Sequence, residues 1–178
     1  VDDRRSSGLL FPTIGVDKDN GLDYAQPIYW NLAANYDATF TPRYIQERGT
    51  ALKAEFRHLN HWAETEVNAS FLGSDKGGGD DDEIDPLTGL RPHQGEDRYF
   101  TSLLHRGGAG QPWSTHLDLN HVSDVDYFRN LGNLTLDQNS LTHLQRQASA
   151  SYKTLHWNYR IAAQDYQLIT EGLDDQYS

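Results

Sequence analysis

The chain has 178 residues, with 26 acidic and 15 basic side chains and a formal net charge of −11. That balance argues against nucleic acid as a partner, because phosphate contacts need a basic face, and the absence of cysteine excludes disulfides, zinc–thiolate sites and thiol catalysis within this stretch. Mean hydropathy is −0.75, and no run approaches the roughly 18 apolar residues of a membrane-spanning helix. A membrane barrel escapes that test, since its strands alternate apolar and polar. The sequence opens at Val1 and contains no Met, so an internal segment is expected.

The dominant hydrophobic period is two, which predicts strands. Residues 9–16 are apolar on both faces. In 22–32, Leu22, Tyr24, Ile28, Trp30 and Leu32 oppose Asp23, Tyr29 and Asn31. In 36–45, Tyr36, Ala38, Phe40, Pro42 and Tyr44 oppose Asp37, Thr39, Thr41 and Arg43. Residues 51–58 set Leu52, Ala54 and Phe56 against Lys53, Glu55 and Arg57, and 63–71 set Val67 and Phe71 against Glu64 and Glu66. Residues 98–106 are short and mixed. Leu117 and Leu119 face away from His116 and Asp118 in 113–121, and 141–152 places Arg146 among Leu144, Ala148, Ala150 and Tyr152. Residues 155–163 alternate again. About nine strands of roughly 9–11 residues result, the length that crosses a bilayer when tilted.

The links alternate as well. Those near 34–35, 60–62, 107–112 and 153–154 are short, whereas those near 17–21, 47–50, 74–97 and 124–140 are longer or richer in turn residues. Short turns on one side and long loops on the other characterise outer-membrane barrels, with the long side extracellular. The 74–97 loop holds the acidic run Asp80-Asp81-Asp82-Glu83 and is expected to be mobile. The 124–131 segment has apolar residues at helical spacing and is expected to form a packed helical turn. Ten aromatics, among them Trp30, Tyr36, Tyr44, Trp62, Trp113 and Trp157, lie mostly near strand ends, where headgroup-level rings are favoured.

The fold class expected is therefore all-β, an antiparallel up-and-down transmembrane barrel segment. Lipid-facing positions are Tyr24, Ile28, Phe40, Phe56, Val67, Phe71, Leu117 and Leu119, and lumen-facing positions are Asp37, Thr39, Thr41, Arg43, Lys53, Glu55, Arg57, Glu64 and Glu66. A soluble sandwich that binds carbohydrate and a porin-like channel remain as alternatives. Two prolines are out of place: Pro12 in the first strand and Pro27 in the second. Each removes a ladder donor. A hairpin folded at Asn20-Gly21 brings them opposite one another or within about two residues, which makes a poorly zipped pair unless both missing donors face unpaired directions.

No catalytic activity, cofactor or metal is expected. The eight histidines include only two close pairs, His58/His61 and His116/His121, and strand residues three or five apart point to opposite faces. The acidic run lacks the spacing of an ordered Ca²⁺ loop, and no nucleophile elbow is present.

Several ordered words are specific: Arg4-Arg5-Ser6-Ser7-Gly8-Leu9-Leu10-Phe11-Pro12, Asn20-Gly21-Leu22-Asp23, Gln26-Pro27-Ile28-Tyr29-Trp30-Asn31-Leu32-Ala33, Asn35-Tyr36-Asp37-Ala38-Thr39, Pro42-Arg43-Tyr44, Arg48-Gly49 and Glu55-Phe56-Arg57. Val122-Ser123-Asp124 with Asp126-Tyr127-Phe128 adds another. This series resembles the start of the barrel domain of the LptD family, outer-membrane lipopolysaccharide-assembly proteins of Gram-negative bacteria. The resemblance is dense from residue 4 to about 60 and near 117–131, and thin through 74–97 and after about 140. It implies that 1–178 is about the first third of a barrel of roughly 26 strands, preceded in the family by a periplasmic domain. It also implies an LptE-type lipoprotein plug, periplasmic bridge proteins that deliver lipopolysaccharide, contact with outer-membrane lipid, and a lateral gate whose weakened first strands carry prolines at the positions of Pro12 and Pro27. Arg43, Lys53 and Arg57 either contact lipopolysaccharide phosphates or pair with Asp37, Glu55, Glu64 and Glu66.

Overall fold

The computed structural model describes residues 6–79, 84–132 and 143–168. They form one antiparallel sheet of eleven strands and a single helical turn. The strands are β1 (Gly8–Leu9), β2 (Thr13–Asp17), β3 (Gly21–Ala25), β4 (Ile28–Ala33), β5 (Tyr36–Ile45), β6 (Gly49–Leu59), β7 (Ala63–Leu72), β8 (Arg98–Gly107), β9 (Trp113–Val122), β10 (His143–Lys153) and β11 (Asn158–Leu168). The helical turn α1 (Tyr127–Leu131) lies between β9 and β10. From β5 onward each strand pairs with the next in sequence, which is up-and-down topology.

The nine expected strands are present, but the first two are each broken in the middle. β1 and β2 are separated at residues 10–12, and β3 and β4 at 26–27. Other boundaries move slightly. β6 already begins at Gly49, so the turn after β5 is residues 46–48 rather than 47–50. The last strand runs from Asn158 to Leu168 instead of 155–163, because Thr154 and Trp157 close the turn with a backbone bond of 2.8 Å and leave Leu155 97% exposed.

Register divides the sheet into two chemically different faces. Phe40 lies opposite Ala54, Phe56 opposite Val67, Val67 opposite Leu103, and Leu103 opposite Leu119. On this apolar face Phe40 is 38% exposed and Phe56 39%, and no second sheet covers it among the described residues. A sandwich would bury those rings, so its geometry is absent here. The other face pairs Asp37 with Arg57, Thr39 with Glu55, Thr41 with Lys53, and Arg57 with Glu66.

The buried core sits at the loop-side end of the polar face. Ile45, Leu72, Phe100 and Val122 cluster with Tyr127, Phe128 and Leu131 of α1. Phe128 meets Phe100 edge-on with ring centroids 5.2 Å apart, and Tyr127 meets Phe128 at 5.4 Å, a preferred aromatic geometry. The helical spacing read in 124–131 thus marks a turn that folds back over the sheet. The sheet does not close among the described residues, and its outer strands are the broken β1–β2 and β11.

Candidate functional site

The break in the first hairpin is built from three strands. Leu9 pairs with Ile28 and Thr13 with Ala25, so three residues, 10–12, face two, 26–27. This is a bulge, and it places Pro12 within one position of Pro27, as the spacing predicts. On the far side Ala25 pairs with Arg43, and Gln26 N donates to the Pro42 carbonyl at 3.0 Å. Pro12, Pro27 and Pro42 therefore cross the sheet at nearly one height, and each lacks the N–H that a ladder uses. What spans the gap is sparse. Leu10 N donates to Pro27 O at 3.0 Å, and the Gln26 side chain donates to Leu10 O at 2.8 Å and to Pro27 O at 3.1 Å. The role of Pro42 and the Gln26 tie are missed by the sequence reading, although Pro42 stands in an otherwise regular strand and signals the first.

Above the break the hairpin is held firmly. Its turn is closed by Asp17, whose Oδ1 accepts from Asn20 N at 2.7 Å. Asn20 then bridges outward: Arg48 Nε donates to its Oδ1 at 2.6 Å, and its amide donates to Asn130 O at 3.0 Å. Gly79 N donates to Asp19 O at 2.7 Å. Gly78 lies beside it at φ +84°, and a Cβ there would come 2.8 Å from Arg48 Nη2, so the loop backbone approaches at a distance only glycine permits.

These contacts belong to a buried ionic network that composition alone does not disclose. Asp75 is 1% exposed and Arg98 0%. Asp75 Oδ2 accepts from Arg48 Nη1 at 3.1 Å and Arg98 Nη1 at 2.9 Å, and Arg98 forks onto Asp124 at 2.6 and 3.0 Å. His93 Nε2 lies 3.1 Å from Asp126 and its Nδ1 2.8 Å from Glu96. Burial works against an ionised Asp124, but hydrogen bonds from Arg98 and Ser123 outweigh it and hold its carboxyl below the usual range. Burial pushes the Tyr127 hydroxyl up, against its bond to Ser70 and the nearby arginines. Within this link Asp75, Gly78, Gly79 and His93 are thereby anchored to neighbouring loops, whereas residues 84–90 are exposed. The acidic run 80–83 lies outside the described residues.

The polar-face candidates largely neutralise one another. Arg57 Nε and Nη2 donate to Asp37 at 2.9 and 3.0 Å, and Glu55 lies 3.6 Å away. Arg43 instead pairs with Asp23, and its Nη1 donates to Gly132 O at 3.3 Å. Arg106 reaches Glu64 at 3.3 Å, and Glu66 accepts from Asn68 at 2.8 Å. Thr41 and Lys53 sit opposite each other in register, as do Thr39 and Glu55. Tyr24, Ile28, Phe40, Phe56, Val67, Phe71, Leu117 and Leu119 all fall on the opposite, apolar face. Among the described residues no three His, Asp or Glu side chains are grouped to hold a metal.

A family model described as LptD: LPS transport system D matches residues 96–177, the half in which the recognisable words are sparser. Across nearly the whole chain, LPS-assembly protein LptD of Saccharophagus degradans is 40% identical over 185 residues, with 98% of this chain covered. The chain belongs to the LptD family. LptD of Chromohalobacter salexigens is 39% identical with 98% of the chain covered, and LptD of Pseudomonas aeruginosa 36% with 96% covered. The chain spans only about a fifth of these LptD relatives' own length, 21%, 21% and 17% respectively.

Proposed function

We propose that this chain supplies the leading strands of an outer-membrane β-barrel that delivers lipopolysaccharide to the outer leaflet, and that its first hairpin is one lip of a lateral gate. The observation that carries the gate is the alignment of Pro12, Pro27 and Pro42 across β1–β5, with the ladder interrupted on both strands of the hairpin. A lipid with phosphorylated sugars and acyl chains has no cheap route through a single medium. Its chains resist an aqueous lumen, and its headgroup resists hydrocarbon. A seam that parts sideways lets the sugars stay inside while the chains slide out.

In this reading the face of Phe40, Phe56 and Leu119 meets acyl tails, and the face of Asp37, Lys53 and Glu66 lines the lumen, where an LptE-type plug sits. Periplasmic bridge proteins hand over the lipid from the short-turn side. The links that follow β2, β5, β7 and β9, the two longest among them, are extracellular. The aromatic contacts suit that placement. Trp62 meets Trp113 at 5.6 Å and Trp157 stacks on Tyr159 at 5.9 Å at the short-turn end, while Tyr99 meets His121 at 5.7 Å at the other. The chemistry is transport rather than catalysis.

The test replaces Pro12 and Pro27 together with alanine in the full-length protein, restoring two ladder donors. Surface-exposed lipopolysaccharide, read by labelling intact cells, is expected to fall while barrel assembly is retained. Undiminished export from the double variant overturns the gate.

A further inference from the structure

We infer that the loop-side end of the apolar face binds one anionic membrane lipid, with its phosphate on Arg146 and an acyl chain in the depression beside it. The inference rests on that face meeting lipid, and adds a defined site and a headgroup charge. Along β10 the apolar face reads Arg146, Ala148, Ala150, Tyr152. An arginine among such neighbours is costly in hydrocarbon and calls for partners, of which the chain itself supplies Asp165, opposite it on β11.

Its height suits a headgroup. Arg146 lies opposite Leu119, three residues before Val122 closes β9 at the loop-side end, within reach of the interface for a long side chain. The guanidinium is oriented before any ligand arrives. Nε donates to Asn120 O at 3.0 Å and Nη2 to Gln167 Oε1 at 3.0 Å, with His121 Nδ1 2.8 Å from Nη2. Nη1 forms a loose ion pair at 3.7 Å with Asp165, directly opposite on β11, whose carboxylate is 74% exposed and leaves the β8–β9 side of the guanidinium open. Toward β8 and β9 the surface carries no acid in register: Val67, Leu103 and Leu119 run in line up to Arg146, with Thr101 and His121 alongside.

Those residues line an open depression of about 520 Å³. An apolar wall ending at a fixed guanidinium complements an acyl chain ending at a phosphate, since the planar fork matches phosphate oxygens. A zwitterionic headgroup brings its own cation to Arg146 and fits less well.

The full-length protein in mild detergent is exposed to phosphatidylglycerol or phosphatidylcholine, and retained lipid is counted by native mass spectrometry. Wild type is expected to prefer phosphatidylglycerol. Arg146→Gln weakens its retention about tenfold, the usual effect of losing a charged hydrogen bond. Arg146→Lys keeps most of the preference, and Arg106→Gln, on the polar face, leaves it intact. Equal retention by wild type and Arg146→Gln, or no preference for the anionic lipid in wild type, overturns the site. A photoreactive residue in place of Leu117 separates the two readings. Acyl-chain capture there, alongside unchanged retention in Arg146→Gln, sinks the site and spares the lipid-facing face; absent capture sinks the face itself.

Discussion

The side-chain amide of Gln26 donates to the carbonyl of Leu10 at 2.8 Å, directly across the gap between the two broken strands. It takes the place of ladder bonds that the prolines cannot make. Gln26→Leu removes this tie at a cost of about 1 kcal/mol. Amide exchange at Leu10 and in β4 is expected to quicken in the lipid-embedded protein, while β6 and β7 stay protected. Unchanged exchange at Leu10 means that the backbone alone holds the seam.

Arg98 is the hub of the buried network, with Asp75 and Asp124 both depending on it. Arg98→Leu leaves Asp124 without its arginine and Asp75 with Arg48 alone, and losing one partner of a buried pair costs about 3–5 kcal/mol. The midpoint of chemical unfolding in lipid vesicles is expected to drop accordingly. Arg98→Lys restores charge without the fork and recovers part of the loss. A midpoint unmoved by Arg98→Leu contradicts the network's structural role.

The same network has a predictable response to acid. Asp124 titrates below its ordinary value of 3.8 in the folded protein, so the unfolded chain binds its proton first as pH falls. Its contribution is complete above the unfolded value and disappears as pH drops through the folded one. The packing of α1 is therefore expected to be constant from neutral pH to about 5 and to loosen below about 4. Amide exchange of 124–131 at each pH reads this, and loosening already near pH 6 assigns the transition to another group.

At the short-turn end, Gly108 holds φ +94°, and a Cβ on it would lie 1.9 Å from the Trp113 carbonyl oxygen. Gly110, two residues on, has φ +72° with nothing within 4 Å. Gly108→Ala is expected to destabilise the β8–β9 hairpin well beyond the roughly 1 kcal/mol of backbone strain expected for Gly110→Ala. Comparing their unfolding midpoints isolates the carbonyl contact. Equal losses would show that the turn relaxes freely.

Strand identity and facing follow from local pattern, because a period of two survives any tertiary arrangement. Phe40, Phe56 and Val67 share a face whether their neighbour is lipid or a second sheet. Pro12 and Pro27 likewise announce a weak hairpin, since a missing N–H is a property of the residue itself. The sequence also marks 124–131 as a helical turn, although not where it packs.

Tertiary structure decided the rest. Nothing local tells Arg98 to find Asp75 and Asp124, 23 and 26 residues away, or Arg48 to grip Asn20 instead of its neighbour Glu47. Those pairings arise because strand register brings distant loops to one end of the sheet, where burial makes an unpaired charge too costly to leave. The third proline gained its meaning in the same way. Pro42 stands in a continuous β5, and only pairing sets it against Gln26 and adds a third missing donor at the height of the break.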